Sequence, residues 1–143
     1  GQSEAIARNL AIMSSLKTQI IVVVTGEGGS GGALALGVGD HVAILEYGTY
    51  SVASPEACAS IVWREADKAE DAAEAMKVGA LDLKKIGIVD EIIPEPIGGA
   101  HQDFDETSAN IKTSLLKNMT ELSKITQEEL IERRYQRLLK IGT

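Results

Sequence analysis

Residues 20–36 read Ile20-Ile21-Val22-Val23-Val24-Thr25-Gly26-Glu27-Gly28-Gly29-Ser30-Gly31-Gly32-Ala33-Leu34-Ala35-Leu36. The apolar run at 20–24 is short, β-branched and without alternation. That is the pattern of a strand buried on both faces of a parallel sheet. Ala33-Leu34-Ala35-Leu36 opens a helix. Between them lie five glycines in seven residues, Gly26 to Gly32. So many glycines predict a sharp turn and close approach of another group to the backbone. A helix starting there aims unpaired N–H groups into the turn, and partial positive charge collects at that end. The place suits a phosphate, a carboxylate or a developing oxyanion.

The 143 residues are enough for one domain with a real core. They carry 14 basic and 21 acidic side chains, a net charge of −7. All of the excess lies in residues 1–100, and 101–143 are neutral overall. No broad basic surface exists, which argues against a primary nucleic-acid role. The single Cys58 rules out an internal disulfide and fits a reducing compartment, hence a cytoplasmic setting. No apolar run approaches the ~20 residues that span a bilayer, and no signal peptide is legible. One cysteine and two distant histidines make no metal ligand set. The chain starts at Gly1 and enters an amphipathic helix almost at once, which reads as the later part of a longer protein.

Residues 3–16 predict a helix with Ser3 as N-cap and Ile6, Leu10, Met13 and Leu16 on its apolar stripe. A strand at 20–25, a helix at 32–38, a strand at 42–45 and a short strand before residue 52 follow. Helix and strand alternate, so an α/β domain with parallel strands is expected. Ser54-Pro55-Glu56 is a helix start: cap, proline at the first position, acid in the first turn. Helices at 69–77 and 81–86, the latter stopped by Gly87, lead to a strand at 88–93 on a surface edge. Pro94, Pro96, Gly98 and Gly99 fix an irregular loop to His101. Residues 103–143 form a helical extension to the domain at 1–102, with helices at 105–119 and 126–141. Ile131, Tyr135, Leu138 and Gly142 mark the apolar face of the second; Arg133, Arg134 and Arg137 mark a solvated one.

The glycine stretch admits several chemistries. Gly26-x-Gly28-x-x-Gly31 with Glu46 closing the next strand matches a dinucleotide fingerprint. Gly28-x-Ser30-x-Gly32, followed by Asp90 and His101, matches a nucleophile elbow and its triad order. A phosphate-binding P-loop fails, because no lysine follows the glycines. An oxyanion hole needs only backbone N–H groups. Glycines needed only for tight helix–strand packing are a further possibility, in which the fold is a scaffold that assembles partners. Glu27 is read as fixing the loop by accepting backbone N–H bonds.

Resemblance selects among these. Residues 26–35 look like the turn of the crotonase-like fold. They resemble more closely the alpha subunit family of the bacterial acetyl-CoA carboxylase carboxyltransferase. The similarity runs on through Tyr50-Ser51-Val52-Ala53-Ser54-Pro55-Glu56-Ala57-Cys58 to Trp63, and through Ile93-Pro94-Glu95-Pro96-Ile97-Gly98-Gly99-Ala100-His101. It reappears at Arg133-Arg134-Tyr135-Gln136-Arg137-Leu138. It covers essentially the whole chain but only the later half of the family's subunit. Activity is therefore expected of the longer chain with its partner, not of this stretch alone.

The resemblance implies a crotonase-like spiral of strand–turn–helix units. It implies transfer of a carboxyl group from carboxybiotin, on a separate biotin carboxyl carrier protein, to acetyl-CoA, giving malonyl-CoA for fatty-acid synthesis. The expected assembly is alpha2–beta2 with a carboxyltransferase beta subunit, served by a separate biotin carboxylase. Metal is expected in the beta subunit, not here. Carried over, Gly31 and then Gly32 are the oxyanion N–H donors. Gly28, Gly29, Ser30, Ser54, Pro55 and Glu56 border the substrate. The Arg133, Arg134 and Arg137 group could meet the 3′-phosphate of CoA or an acidic partner surface, beside the plainer reading of a solvated helix face.

Overall fold

The computed structural model describes residues 1–141, apart from the side chain of Ala66. Gly142, assigned above to the last helix's apolar face, lies outside them, as does Thr143. Helix α1 (Gln2–Ser15) leads into β1 (Ile21–Val24), β2 (Glu27–Gly29) and α2 (Ser30–Leu36). Then come β3 (His41–Leu45), β4 (Thr49–Ser51) and α3 (Pro55–Val62). Helices α4 (Ala69–Met76) and α5 (Ala80–Lys85) precede β5 (Glu91–Ile93), and α6 (Phe104–Leu122) and α7 (Gln127–Leu139) close the chain.

The five strands pair in parallel, and an isolated antiparallel bridge joins Thr49 of β4 to Gly79. β3 lies between β1 and β5 in one sheet, and β2 pairs with β4 in a second. The chain therefore climbs the same step twice: a strand in the first sheet, a strand in the second, then a helix. β2 is unforeseen in the sequence, because Glu27-Gly28-Gly29 carries no strand propensity. It forms because β4 offers it a partner, with Gly28 opposite Tyr50.

The centre is β3. Val42 and Ile44 face a cluster with Ala80, Leu83 and Val89, backed by Val22, Val24 and Tyr50. Ala43 and Leu45 face the opposite cluster, with Ile93 and the flanking Val23 and Ile111. Apolar side chains on both faces explain why this strand shows no alternation. β5 sits at the sheet edge, as its sequence predicts. α1 begins at Gly1, not at the expected Ser3 cap, and no side chain caps it. None of its residues is buried, and its stripe is half-covered at Ile6, Leu10 and Met13.

The ends of the strands are held from α7. The Arg134 side chain is 0% exposed and forks onto both oxygens of Asp40, at 2.9 and 2.8 Å. It also donates to the carbonyls of Met13, Leu16 and Thr18 at 2.8–2.9 Å. Asp40 in turn accepts the Ile20 N–H at 2.8 Å, where β1 begins. One turn of α7 further on, Arg137 pairs with Asp90 at 3.0 Å, and Asp90 accepts the Val42 N–H at 2.8 Å. The polar face of α7 is thus not solvated at these two positions. The spacing that places arginines opposite the apolar stripe could not show two aspartates waiting at the strand starts.

His41 on β3 and Asn118 on α6 both bond Glu91 on β5, at 2.9 and 2.8 Å. Burial pushes the Glu91 carboxyl up, but hydrogen bonds from Asn118, Ser114 and His41 outweigh it and hold the group below its usual range. Such a carboxylate stabilises the fold above its unfolded value, about 4.3. That contribution is lost as pH falls through the lower folded value. The urea midpoint of the native protein is expected to exceed that of Glu91→Gln above about pH 5, the gap closing below about pH 4. A pH-independent gap would remove the charge from this account. Arg134→Met strands the buried Asp40 carboxylate and should cost about 3–5 kcal/mol in urea denaturation. A loss below about 1 kcal/mol would mean that the clamp carries no stability.

Candidate functional site

At the end of β2 the backbone reverses into α2 through Ser30, at φ +59°. That left-handed conformation is costly for a residue with a side chain. It sharpens the turn, so that the N–H groups of Gly31 and Gly32 open the helix. Among the described residues, no side chain and no residue outside the helices and strands accepts from the N–H groups of Gly31 or Gly32. The first turn of a helix supplies no partner for them either.

The glycines fall into two groups. A Cβ on Gly28 would stand 2.8 Å from the Tyr50 ring, and one on Gly37 would overlap the Tyr50 hydroxyl. Tyr50 fills the space that both leave, and its hydroxyl donates to the Ala33 carbonyl at 3.1 Å. Burial raises the Tyr50 pKa, and the nearby Arg137 charge pulls it back only in part, so the phenol stays a donor. By contrast, a Cβ on Gly26, Gly29 or Gly32 would meet nothing within 4 Å. Packing explains the first group and leaves the second open-sided. A Cβ on Gly31 would touch Ile6 at 3.4 Å, an ordinary contact.

Ser30 and Gly31 border an apolar cavity of about 360 Å³ with Leu34, Tyr50, Val52 and Arg137. Glu27 is exposed, and no described residue donates to its carboxylate, so it does not fix the loop as expected. Ser54 caps α3 by accepting the Ala57 N–H at 3.2 Å, with Pro55 at the first helical position. The backbone N–H of Glu56 and the Ser54 hydroxyl hold the Glu56 carboxyl below its usual range. These three residues form the predicted cap and line neither cavity described here.

A second, open cavity of about 680 Å³ lies where β1, β3 and β5 end, lined by Thr25, Tyr47, Glu95, His101 and Phe104. His101 is exposed, and its one side-chain hydrogen bond among the described residues is to Gln102, at 3.1 Å. Asp90 is engaged by Arg137 and Val42. Ser30, Asp90 and His101 therefore form no triad. The dinucleotide reading fails for a different reason. Gly28 and Gly29 are paired within β2, not free to wrap a pyrophosphate, and Glu46 accepts the Glu95 N–H at 3.2 Å. Arg134 and Arg137 are committed to Asp40 and Asp90, so the arginine group is no phosphate cluster. Sequence reasoning missed Tyr50 and Glu95, whose only signal was their place inside the quoted motifs.

A family model described as acetyl co-enzyme A carboxylase carboxyltransferase-like matches residues 1–142. The chain belongs to this family. Acetyl-coenzyme A carboxylase carboxyl transferase subunits alpha from Vibrio cholerae serotype O1 and Glaesserella parasuis serovar 5 are both 58% identical over 142 residues. The match takes in 99% of this chain and 44–45% of theirs. The chain thus spans less than half the length of these relatives. A chain of a Pseudomonas malonate decarboxylase hetero-tetramer, solved with coenzyme A, superposes with TM-score 0.71 at 16% identity. That covers 94% of this chain and 53% of that one. The transcarboxylase 12S core gives TM-score 0.53 at 26% identity over 62% of this chain and 18% of its own. The fold is crotonase-like α/β.

The division of the glycines is testable. Gly28→Ala should lower stability by about 1–3 kcal/mol through overpacking against Tyr50. Gly32→Ala should be neutral or stabilising by up to about 1 kcal/mol. Equal thermal shifts for the two would break the division.

Proposed function

We propose that this chain is the part of a carboxyltransferase alpha subunit that supplies an oxyanion hole for making malonyl-CoA from acetyl-CoA. The family match over nearly the whole chain carries the reading. The carboxyl group comes from carboxybiotin on a separate carrier protein. Breaking its N–carboxyl bond and forming the new carbon–carbon bond at the acetyl methyl carbon transfers the group, and the methyl proton ends on the biotin nitrogen. Biotin supplies the labile carboxyl; this chain supplies donors. The N–H groups of Gly31 and Gly32 stand in the first turn of α2, where the helix itself gives them no acceptor. The open sides of Gly29 and Gly32 leave room for a flat ureido group to approach. Gly28, Gly29, Ser30, Ser54, Pro55 and Glu56 border that approach in this reading.

Such donors act on charge that develops during the reaction, so they accelerate it instead of merely binding substrate. The acetyl-CoA is held by the beta subunit in an alpha2–beta2 assembly, and a biotin carboxylase recharges the carrier. The reaction belongs to the cytoplasm. None of the described helices is long and apolar enough to cross a membrane. No group of three or more His, Cys, Asp or Glu side chains among the described residues could hold a metal ion.

The test uses the full-length subunit with its beta partner and follows malonyl-CoA-dependent carboxylation of free biocytin. Gly32→Val places a branched side chain on the open side of the donors. Activity should fall by about 10²–10³-fold while the complex still assembles. Unchanged activity would put the oxyanion donors elsewhere. No activity in the unaltered complex would sink the carboxyltransferase reading.

A further inference from the structure

Where β1, β3 and β5 end, the chain leaves apolar side chains uncovered. Ile97 is 97% exposed, Phe104 72% and Tyr47 58%. Tyr47 and Phe104 share the walls of one open cavity with Glu95 and His101. Uncovered apolar groups gathered in one place mark an interaction site, and buried aromatic anchors contribute strongly to protein association.

This surface is held in shape. The Glu95 carboxylate accepts the Tyr47 N–H at 2.6 Å and the Ala100 N–H at 2.8 Å. Gly98 and Gly99 turn the loop at φ +92° and +107°. A preformed loop has little ordering left to lose on binding.

Its charge is one-sided. Residues 18–63 contain four acids and no Lys or Arg; residues 86–111 contain six acids and none. Asp40 and Asp90 are neutralised by α7 where the strands begin. Glu46, Glu95, Asp103, Asp105 and Glu106 belong to the segments beyond the other ends of the strands and form no ion pair with any described residue. A partner that covers Tyr47 and Phe104 must meet this acidic field, so complementarity requires it to be basic.

We propose that this face docks a basic segment of the second carboxyltransferase subunit. An arginine or lysine lays its stem and charge over Tyr47 and Phe104 and faces Glu95 and the acidic first turn of α6. The inference rests on the carboxyltransferase reading and names the contact that holds the partner.

Binding of the full-length subunit to its beta partner tests this, measured by calorimetry at about 50 and about 300 mM salt. Ile97→Ser with Phe104→Ala removes the apolar anchors. Asp105→Lys with Glu106→Lys reverses the charge without touching the Asp103 cap. All four side chains are exposed, so the fold should survive; the charge-reversed pair loses the first-turn acids of α6 and should melt a few degrees lower, and folding of each unbound variant is checked by circular dichroism. Each pair should weaken binding at least about tenfold. The unaltered complex should lose affinity with salt more steeply than the charge-reversed one. Unchanged affinity in both variants would overturn the docking surface and leave the carboxyltransferase reading intact. Weakening by the apolar pair alone, with no salt dependence, would overturn the basic partner in favour of an apolar surface or a second copy. No association of the unaltered subunits would remove the reading and the inference together.

Discussion

Arg134 offers five N–H donors and finds six acceptors: two oxygens of Asp40 and the carbonyls of Met13, Ser14, Leu16 and Thr18. A buried guanidinium is tolerable only when every donor is met, because its desolvation otherwise exceeds the attraction it gains. Here the same contacts fasten three separate pieces of chain. Met13 and Leu16 belong to the end of α1, whose last carbonyls have no helical partner. Thr18 starts the approach to β1, and Asp40 starts β3. Arg137 repeats the device one turn on, joining Asp90 before β5 to the Ile88 carbonyl. A single helix thereby fixes the beginnings of all three strands of the central sheet.

That fixation divides the molecule into two ends with different work. Where the strands begin, charge is paired and buried. Where they end, the chain emerges into the glycine loop, the Tyr47 corner and the Pro/Gly loop through Gly98. Parallel strands place all their exits on one side, which is where α/β folds assemble sites. The exits can carry strained or open geometry, such as Ser30 in the left-handed region, because the starts are held firmly. Tyr50 links the two regimes. It packs on the β3 cluster yet fills the gaps left by Gly28 and Gly37 in the loop.

The elements most legible in the sequence were those whose burial is simplest. Residues 20–24 and 42–45 are covered on both faces, so uniform apolar runs revealed them. The cap of α3 follows a local rule: Ser54 accepts an N–H three residues on. What stayed hidden depended on distant partners. β2 exists because β4 lies beside it, and three residues rich in glycine cannot announce that. Arg134 and Arg137 looked solvated because their acids lie 94 and 47 residues away. The glycines pointed correctly to close approach. Composition alone could not separate Gly28, filled from within by Tyr50, from Gly29 and Gly32, open to the outside.

The charge distribution constrains how the proposed reaction is shared. Its substrates are anionic at the carboxyl and at the phosphates of coenzyme A, and the strand-exit segments of this chain contain no Lys or Arg. Cations that could hold phosphates must therefore come from outside those segments, and the α7 arginines at positions 134 and 137 are already spent on Asp40 and Asp90. What the proposed function asks of this end is neutral and directional: N–H dipoles at Gly31 and Gly32. Fixed dipoles near an acidic edge do not attract a polyanion over distance. They act once the reacting oxygen is within hydrogen-bond reach. In the proposed reaction, capture of the coenzyme then falls to cations outside the strand-exit segments, and stabilisation of the developing charge falls to the proposed backbone donors.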